Sequence, residues 1–186
     1  MRIQTVKYHE LEININKSNV KELDAIRESL NIEMKNIPAW VSFPMFACDI
    51  LSFIGFVIIQ VFLWRDVFFI AGLDAVKVFS GVVFSIGLYC LLKTVSIFLL
   101  RRGMSLGLIL YCWLLNVVII ILASYFFISL PFFRSIIPGI EGSIVYSTCS
   151  LVFVLVGKSF LYTLRFDKFM LNNFYELTWR REKKIS

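Results

Sequence analysis

Residues 105–133, SLGLILYCWLLNVVIIILASYFFISLPFF, contain no charged side chain over 29 consecutive positions. An α-helix needs about 20 apolar residues to cross the roughly 30 Å hydrocarbon core of a bilayer. The stretch therefore predicts a membrane-spanning helix. It is longer than one perpendicular crossing requires, so we expect the helix to tilt or to bend near Pro131.

Three further stretches, about residues 43–64, 78–100 and 142–164, have the same apolar character. All four are predicted to be helices, because a strand with open edges cannot satisfy its backbone hydrogen bonds in lipid. Hydrophobic residues make up 59% of the chain, more than the surface of a soluble protein tolerates. The sequence therefore predicts an all-α membrane protein whose residues 39–164 form a four-helix transmembrane domain.

The basic residues outside the spans are unevenly distributed. Fourteen Lys and Arg residues lie in the two tails, residues 1–38 and 165–186, and in the connector at 101–104. The connectors at 65–77 and 134–141 carry three. Lys and Arg are enriched on the cytoplasmic side of membrane proteins, so both termini are predicted to be cytoplasmic.

The amino-terminal tail contains two different patterns. Leu11, Ile13 and Ile15 alternate with polar residues, which predicts a strand over residues 11–16. Asn19 and Glu22 have the spacing of a capping box, and they begin a region with apolar residues at intervals of three and four, which predicts an amphipathic helix. The apolar positions of that helix are Val20, Leu23, Ile26, Leu30, Met34 and Ile37.

The carboxyl-terminal tail, residues 165–186, is predicted to be a second amphipathic cytoplasmic helix, with a basic polar face. Its aromatic residues suit the depth of the lipid headgroups, so we expect this helix to lie along the membrane surface. The residues expected to contact the membrane are Phe166, Phe169, Phe174 and Trp179.

Three ionisable residues within the spans form a candidate charge layer: Asp49, Lys93 and Lys158. The helical rise places all three roughly 10 to 13 Å from the cytoplasmic boundary. One interpretation is an ion pair of Asp49 with Lys93 or Lys158, which either stabilises the bundle or relays protons or ions. In the alternative, both lysines extend to the headgroups, and Asp49 is solvated by hydroxyl groups or by a bilayer defect.

Several kinds of chemistry lack the residues that they need. His9 is the only histidine, and the four cysteines form no CxxC pair, so no metal site or Ser-His-Asp site is predicted. Asp49 is the only carboxylate well inside a span, and intramembrane aspartyl catalysis needs two. The sequence thus predicts a protein that is not an enzyme, with no cofactor and no nucleic-acid partner.

These exclusions favour a non-catalytic inner-membrane protein that binds or inhibits another membrane-associated system. Its predicted partners are the lipid bilayer and either another membrane protein or a second copy of itself. Richness in Phe, Ile, Lys and Asn indicates an AT-rich bacterial gene of the kind found on mobile elements such as plasmids, which favours a role in entry exclusion or in toxin immunity. The alternative is a small oligomeric channel, pore or ion-coupled carrier lined by the charge layer.

Overall fold

The computed structural model describes residues 2–35, 43–72, 76–130 and 144–185, and this part of the chain contains seven α-helices and no strand. A short 3-10 helix, Phe160–Tyr162, separates the last two α-helices. The α-helices are α1 (Arg2–Lys17), α2 (Val20–Lys35), α3 (Phe43–Ile70), α4 (Val76–Arg101), α5 (Ser105–Ile128), α6 (Ile144–Ser159) and α7 (Leu164–Ile185).

Four of these helical regions are long and apolar enough to cross a membrane: Met45–Ile70, Lys77–Arg101, Ser105–Ile128 and Ile144–Tyr162. They correspond to the four stretches predicted from the sequence, and the chain is therefore described as a multi-pass membrane protein. The fourth span consists of α6 and the 3-10 helix together.

The ends of two spans differ from the prediction. Helix α3 continues six residues beyond Trp64 to Ile70, through the charged pair Arg65 and Asp66. These charges do not end the helix because the Arg65 guanidinium lies 3.0 Å from Asp66, and the Tyr125 hydroxyl donates to the same carboxylate at 2.6 Å. Helix α5 ends earlier than expected, at Ile128, and residues 131–133 of the predicted span lie outside the described residues.

The strand predicted over residues 11–16 is wrong, because this segment is part of helix α1. Tyr8 and Ile15 are buried and Leu11 is partly buried, so the buried residues recur at intervals of three and four, the period of a helix. Ile13, which belonged to the apparent alternation, is exposed. Three alternating residues are too few to separate the two periods.

The predicted capping box at the start of α2 is confirmed. The Asn19 amide N–H donates to the Glu22 carboxylate at 2.9 Å, and the Glu22 N–H donates to the Asn19 side-chain oxygen at 3.0 Å. The two bonds satisfy backbone groups that a helix leaves unpaired at its amino end.

The helices fall into two compact units. The terminal unit comprises Met1–Phe46, Lys93–Cys112 and Phe160–Ser186, and the span unit comprises Ala47–Leu92 and Trp113–Ser159. Helices α3, α4 and α5 contribute residues to both. The core of the span unit consists of Phe56, Ile59, Tyr89, Leu114, Val118, Leu122, Tyr125 and Val154.

In the terminal unit, α7 packs against both α1 and α2. Phe166, Met170 and Phe174 of α7 are buried, and the Phe174 ring stacks on Tyr8 of α1 with 5.6 Å between ring centroids. The expected membrane contact of Phe166 and Phe174 is therefore wrong: protein, and not lipid, covers these side chains. An apolar helix face can be buried against either, and the sequence pattern is the same for both.

Close approach of helices α3 and α6 depends on glycine. A Cβ atom at Gly55 would lie 2.6 Å from the Ser150 carbonyl oxygen and 2.8 Å from a Val154 methyl group. At Gly157, a Cβ atom would lie 3.2 Å from the Cys48 carbonyl oxygen. Small residues let membrane helices approach closely enough for their backbones to be in contact.

Replacing Gly55 with Ala should therefore destabilise the span unit by about 1–3 kcal/mol, because the backbone of α6 must move to accept the methyl group. Gly87→Ala is the matched control: it also lies in a span, but nothing lies within 4 Å of its Cβ position. The control should be neutral or stabilising by up to about 1 kcal/mol, since alanine favours helix. Thermal unfolding of both variants in one detergent measures the difference, and equal stabilities would contradict the proposed contact.

Candidate functional site

The three residues of the predicted charge layer lie on three different helices. Asp49 is partly exposed on α3, Lys93 is 7% exposed on α4, and Lys158 is partly exposed on α6. Lys158 donates to the Asn116 side-chain oxygen at 2.6 Å, and the Lys93 amine lies 5.6 Å from the centre of the Tyr111 ring. Both lysines thus contact side chains of α5, and the pairing of Asp49 with either lysine stays a prediction.

Further polar contacts inside the span unit connect α3 with α4. Gln60 is buried and accepts a hydrogen bond of 2.7 Å from the Ser85 hydroxyl, to which the Trp64 indole donates at 3.1 Å. One turn further along α4, the Tyr89 hydroxyl donates at 3.2 Å to Ser52, which lies about two turns before Gln60 in α3. Such bonds stabilise membrane helix pairs, because lipid offers buried polar groups no other partner.

Arg27 is the centre of a polar cluster between α2 and α7. It is 8% exposed, and its guanidinium donates to Thr178 at 3.0 Å, to Asp24 at 2.7 Å and to Glu182. The same group lies 3.8 Å from the centre of the Trp179 ring, a cation–π distance. Arg27 therefore links α2 to α7 through two hydrogen bonds and a cation–π contact.

Tyr8 connects α1 to α7 in the same unit. Its hydroxyl donates to the Asp167 carboxylate at 2.7 Å, and its side chain is almost fully buried. Burial raises the pKa of Tyr8 well above its ordinary value, and the hydrogen bond to Asp167 raises it further. The phenol therefore remains a protonated donor at physiological pH.

Helix α1 also contacts the first residue of α5. The Glu12 carboxylate accepts the Ser105 backbone N–H at 2.8 Å, and the His9 ring nitrogen Nδ1 lies 3.0 Å from the Ser105 hydroxyl. A carboxylate is favourable at a helix amino end, where backbone N–H groups lack intrahelical partners. Helix α1 thus supplies from a distance the cap that α5 does not carry itself.

Arg27, Tyr8 and Asp167 were not predicted as site residues. Arg27 lies between Leu23 and Leu30, so it interrupts the apolar face of α2, and this interruption was the available signal. Nothing in the sequence near Tyr8 indicates a partner 159 residues away. Within the described residues, no group of three or more His, Cys, Asp or Glu side chains could hold a metal ion.

No family model, no curated protein and no solved structure matches this chain. The function is therefore inferred from the contacts of the chain itself.

Arg27→Met should destabilise the terminal unit by about 2–3 kcal/mol, because it removes charge-assisted hydrogen bonds and leaves two carboxylates without their partner. Hydrogen exchange should accelerate at the backbone amides of α2 and α7. The matched control is Lys7→Met, which breaks an exposed ion pair of 2.8 Å with Glu33 and should cost less than about 1 kcal/mol. Equal exchange in the two variants would show that Arg27 is not what holds these helices together.

Proposed function

We propose that this protein is a non-catalytic, multi-pass protein of the bacterial inner membrane that binds, and thereby regulates or inhibits, another membrane-associated protein. Helices α1, α2 and α7 form its binding domain, on the cytoplasmic side. The observation that supports this proposal is that hydrogen bonds between the two tails join the helices of the terminal unit. Its helices are held in fixed positions by Arg27 and Tyr8, through bonds to residues more than a hundred positions away.

A binding domain also needs an accessible surface. Large apolar side chains remain exposed on helices that are not candidate spans: Ile32 of α2 is 59% exposed, Val6 of α1 51%, and Trp179 of α7 46%. Exposed apolar side chains on a surface that faces water are typical of protein-binding sites. A shallow groove of about 450 Å³ on the same unit is lined by residues of both α1 and α2, including Leu11 and Ile26.

The cytoplasmic placement of this domain rests on the uneven distribution of basic residues, fourteen against three. It also agrees with the contacts of Glu12 with Ser105 and of Arg180 with Arg101, since each tail then lies on the same side as the connector at 101–104. The bacterial and plasmid origin, and a role in exclusion or toxin immunity, rest on amino-acid composition alone. Genes for DNA transfer or for a toxin beside this gene would support that role.

A second candidate function, an oligomeric channel or carrier, is favoured by one observation. Asn116 is exposed in the middle of an apolar span, and its partner Lys158 is only partly buried. A charged group at the lipid-facing surface of a span is costly, and a second copy of the chain could cover it. In such an assembly these residues and Asp49 would line the pathway.

Reporter fusions test the orientation. Reporters placed after Lys35, Met104 and Arg180 should behave as cytoplasmic, and reporters near Ala71 and Gly139 as external. The connector that contains Met104 separates two spans and carries Arg101 and Arg102, so its side follows from the charge distribution. An external reporter at Met104 would contradict the proposed topology.

Native gel electrophoresis of host membranes tests the function. The chain should migrate in a discrete complex larger than its own 21.6 kDa, and Ile32→Glu should release it, because a charge cannot be buried in an apolar contact. Lys21→Gln, an exposed change on the same helix, should leave the complex intact.

Two tagged copies expressed together distinguish the two candidates. A complex that contains a single tagged copy supports a different protein as partner. A complex that contains both tags, with ion flux in liposomes that Asp49→Asn abolishes, supports the channel. Migration as a monomer in host membranes would contradict both proposals.

A further inference from the structure

The terminal unit contains an open cleft of about 590 Å³ that none of the contacts described so far fills. Residues of α1, of the connector between α4 and α5, and of α7 form its walls. They are Glu12, Asn16, Arg102, Met104, Leu177, Arg180, Arg181 and Lys184. Its volume is in the range of small-molecule sites.

The cleft is strongly basic. Four of its side chains are cationic and one, Glu12, is anionic. The Glu12 carboxylate already accepts the Ser105 N–H, so part of its hydrogen-bonding capacity is used within the protein. The electrostatic potential in the cleft is therefore positive and attracts anions.

Arg181 has a buried donor that lacks an acceptor. Its Nε atom is inaccessible to solvent and makes no hydrogen bond with any described residue. An unsatisfied buried donor is costly, and more so on a charged group. Arg180 differs, because it donates to the Glu176 carboxylate at 3.0 Å and to the Arg101 carbonyl at 3.3 Å. Because Arg181 lines the cleft, a small rotation of its side chain would bring this donor to an oxygen-rich anion bound there.

The position of the cleft along the chain indicates the source of that anion. Arg102 and Met104 lie in the short connector between two candidate spans, Lys77–Arg101 and Ser105–Ile128. The ends of spans lie at the depth of the phospholipid headgroups. The Arg102 guanidinium is held 4.2 Å from the centre of the Phe98 ring, which fixes its position at this end of α4. Met104 and Leu177 provide apolar surface beside the cations.

We infer that the cleft binds the phosphate group of an anionic phospholipid, with Arg102, Arg181 and Lys184 as its cationic contacts. Arg guanidinium groups form paired, charge-assisted hydrogen bonds with phosphate oxygens. Basic pockets beside membrane helices on the cytoplasmic side bind anionic lipid headgroups in this way. The inference is independent of the protein partner proposed above, because it concerns a different surface and a lipid.

Native mass spectrometry of the purified full chain tests this site, with phosphatidylglycerol and phosphatidylcholine added in equal amounts. The wild-type protein should retain phosphatidylglycerol preferentially. Each of Arg181→Gln and Lys184→Gln should weaken that binding about fivefold, the effect of losing one cationic contact near a membrane surface. Lys184 is exposed, so its variant reports on binding even if Arg181→Gln fails to fold.

The matched control is Lys183→Gln, which removes the same charge at the neighbouring position but does not line the cleft. It should bind phosphatidylglycerol like the wild-type protein. Equal losses in Lys183→Gln and Lys184→Gln would overturn the site in favour of general charge attraction. Soluble glycerol phosphate is the second arm. If it binds as tightly as the lipid and displaces it, a free phosphate ester is the ligand and the lipid assignment is wrong.

Discussion

A buried polar group is costly unless it finds a hydrogen-bond partner, and this constraint accounts for several of the contacts between helices in each unit. In the span unit it accounts for the bond between Gln60 and Ser85 and for the pairing of Asp66 with both Arg65 and Tyr125. The bonds of Gln60 with Ser85 and of Asp66 with Tyr125 each join two helices. Arg65 lies beside Asp66 on the same helix and neutralises its charge. Apolar side chains determine the relative position of two helices less strictly, because they are equally stable in contact with lipid.

The same constraint acts in the terminal unit with stronger interactions. Arg27 and Tyr8 are buried with hydrogen bonds to α7, so a shift of that helix would separate their polar atoms from these partners. Burial of the apolar side chains of Phe166, Met170 and Phe174 stabilises the unit. The hydrogen bonds of Arg27 and Tyr8 determine how α1 and α2 are aligned along α7. A unit with fixed geometry and exposed apolar side chains is suited to recognising another protein, which is the role that we propose for it.

The connector between α4 and α5 makes contacts with both tails within a few residues. Gly103 has a positive φ of 73°, and a Cβ atom there would lie 3.1 Å from the Asn173 carbonyl oxygen of α7, so both backbone conformation and space favour glycine. Ser105 receives its helix cap from Glu12 of α1. Arg102 and Met104 line the basic cleft. Contacts from both tails therefore meet at the short link between two spans.

The sequence by itself determined the number and approximate position of the four spans, because hydrocarbon thickness sets a length and composition that few other structures share. It also determined the capping box of α2, a local interaction between Asn19 and Glu22. Only the tertiary structure decided that Arg65 and Asp66 lie inside a helix, that α1 is helical through Ile15, and that protein covers Phe166 and Phe174. The sequence also could not identify the partners of Arg27 and Tyr8 on α7. Each of these outcomes depends on a partner distant in the chain, and local periodicity carries no information about which distant surface will cover an apolar face or neutralise a charge.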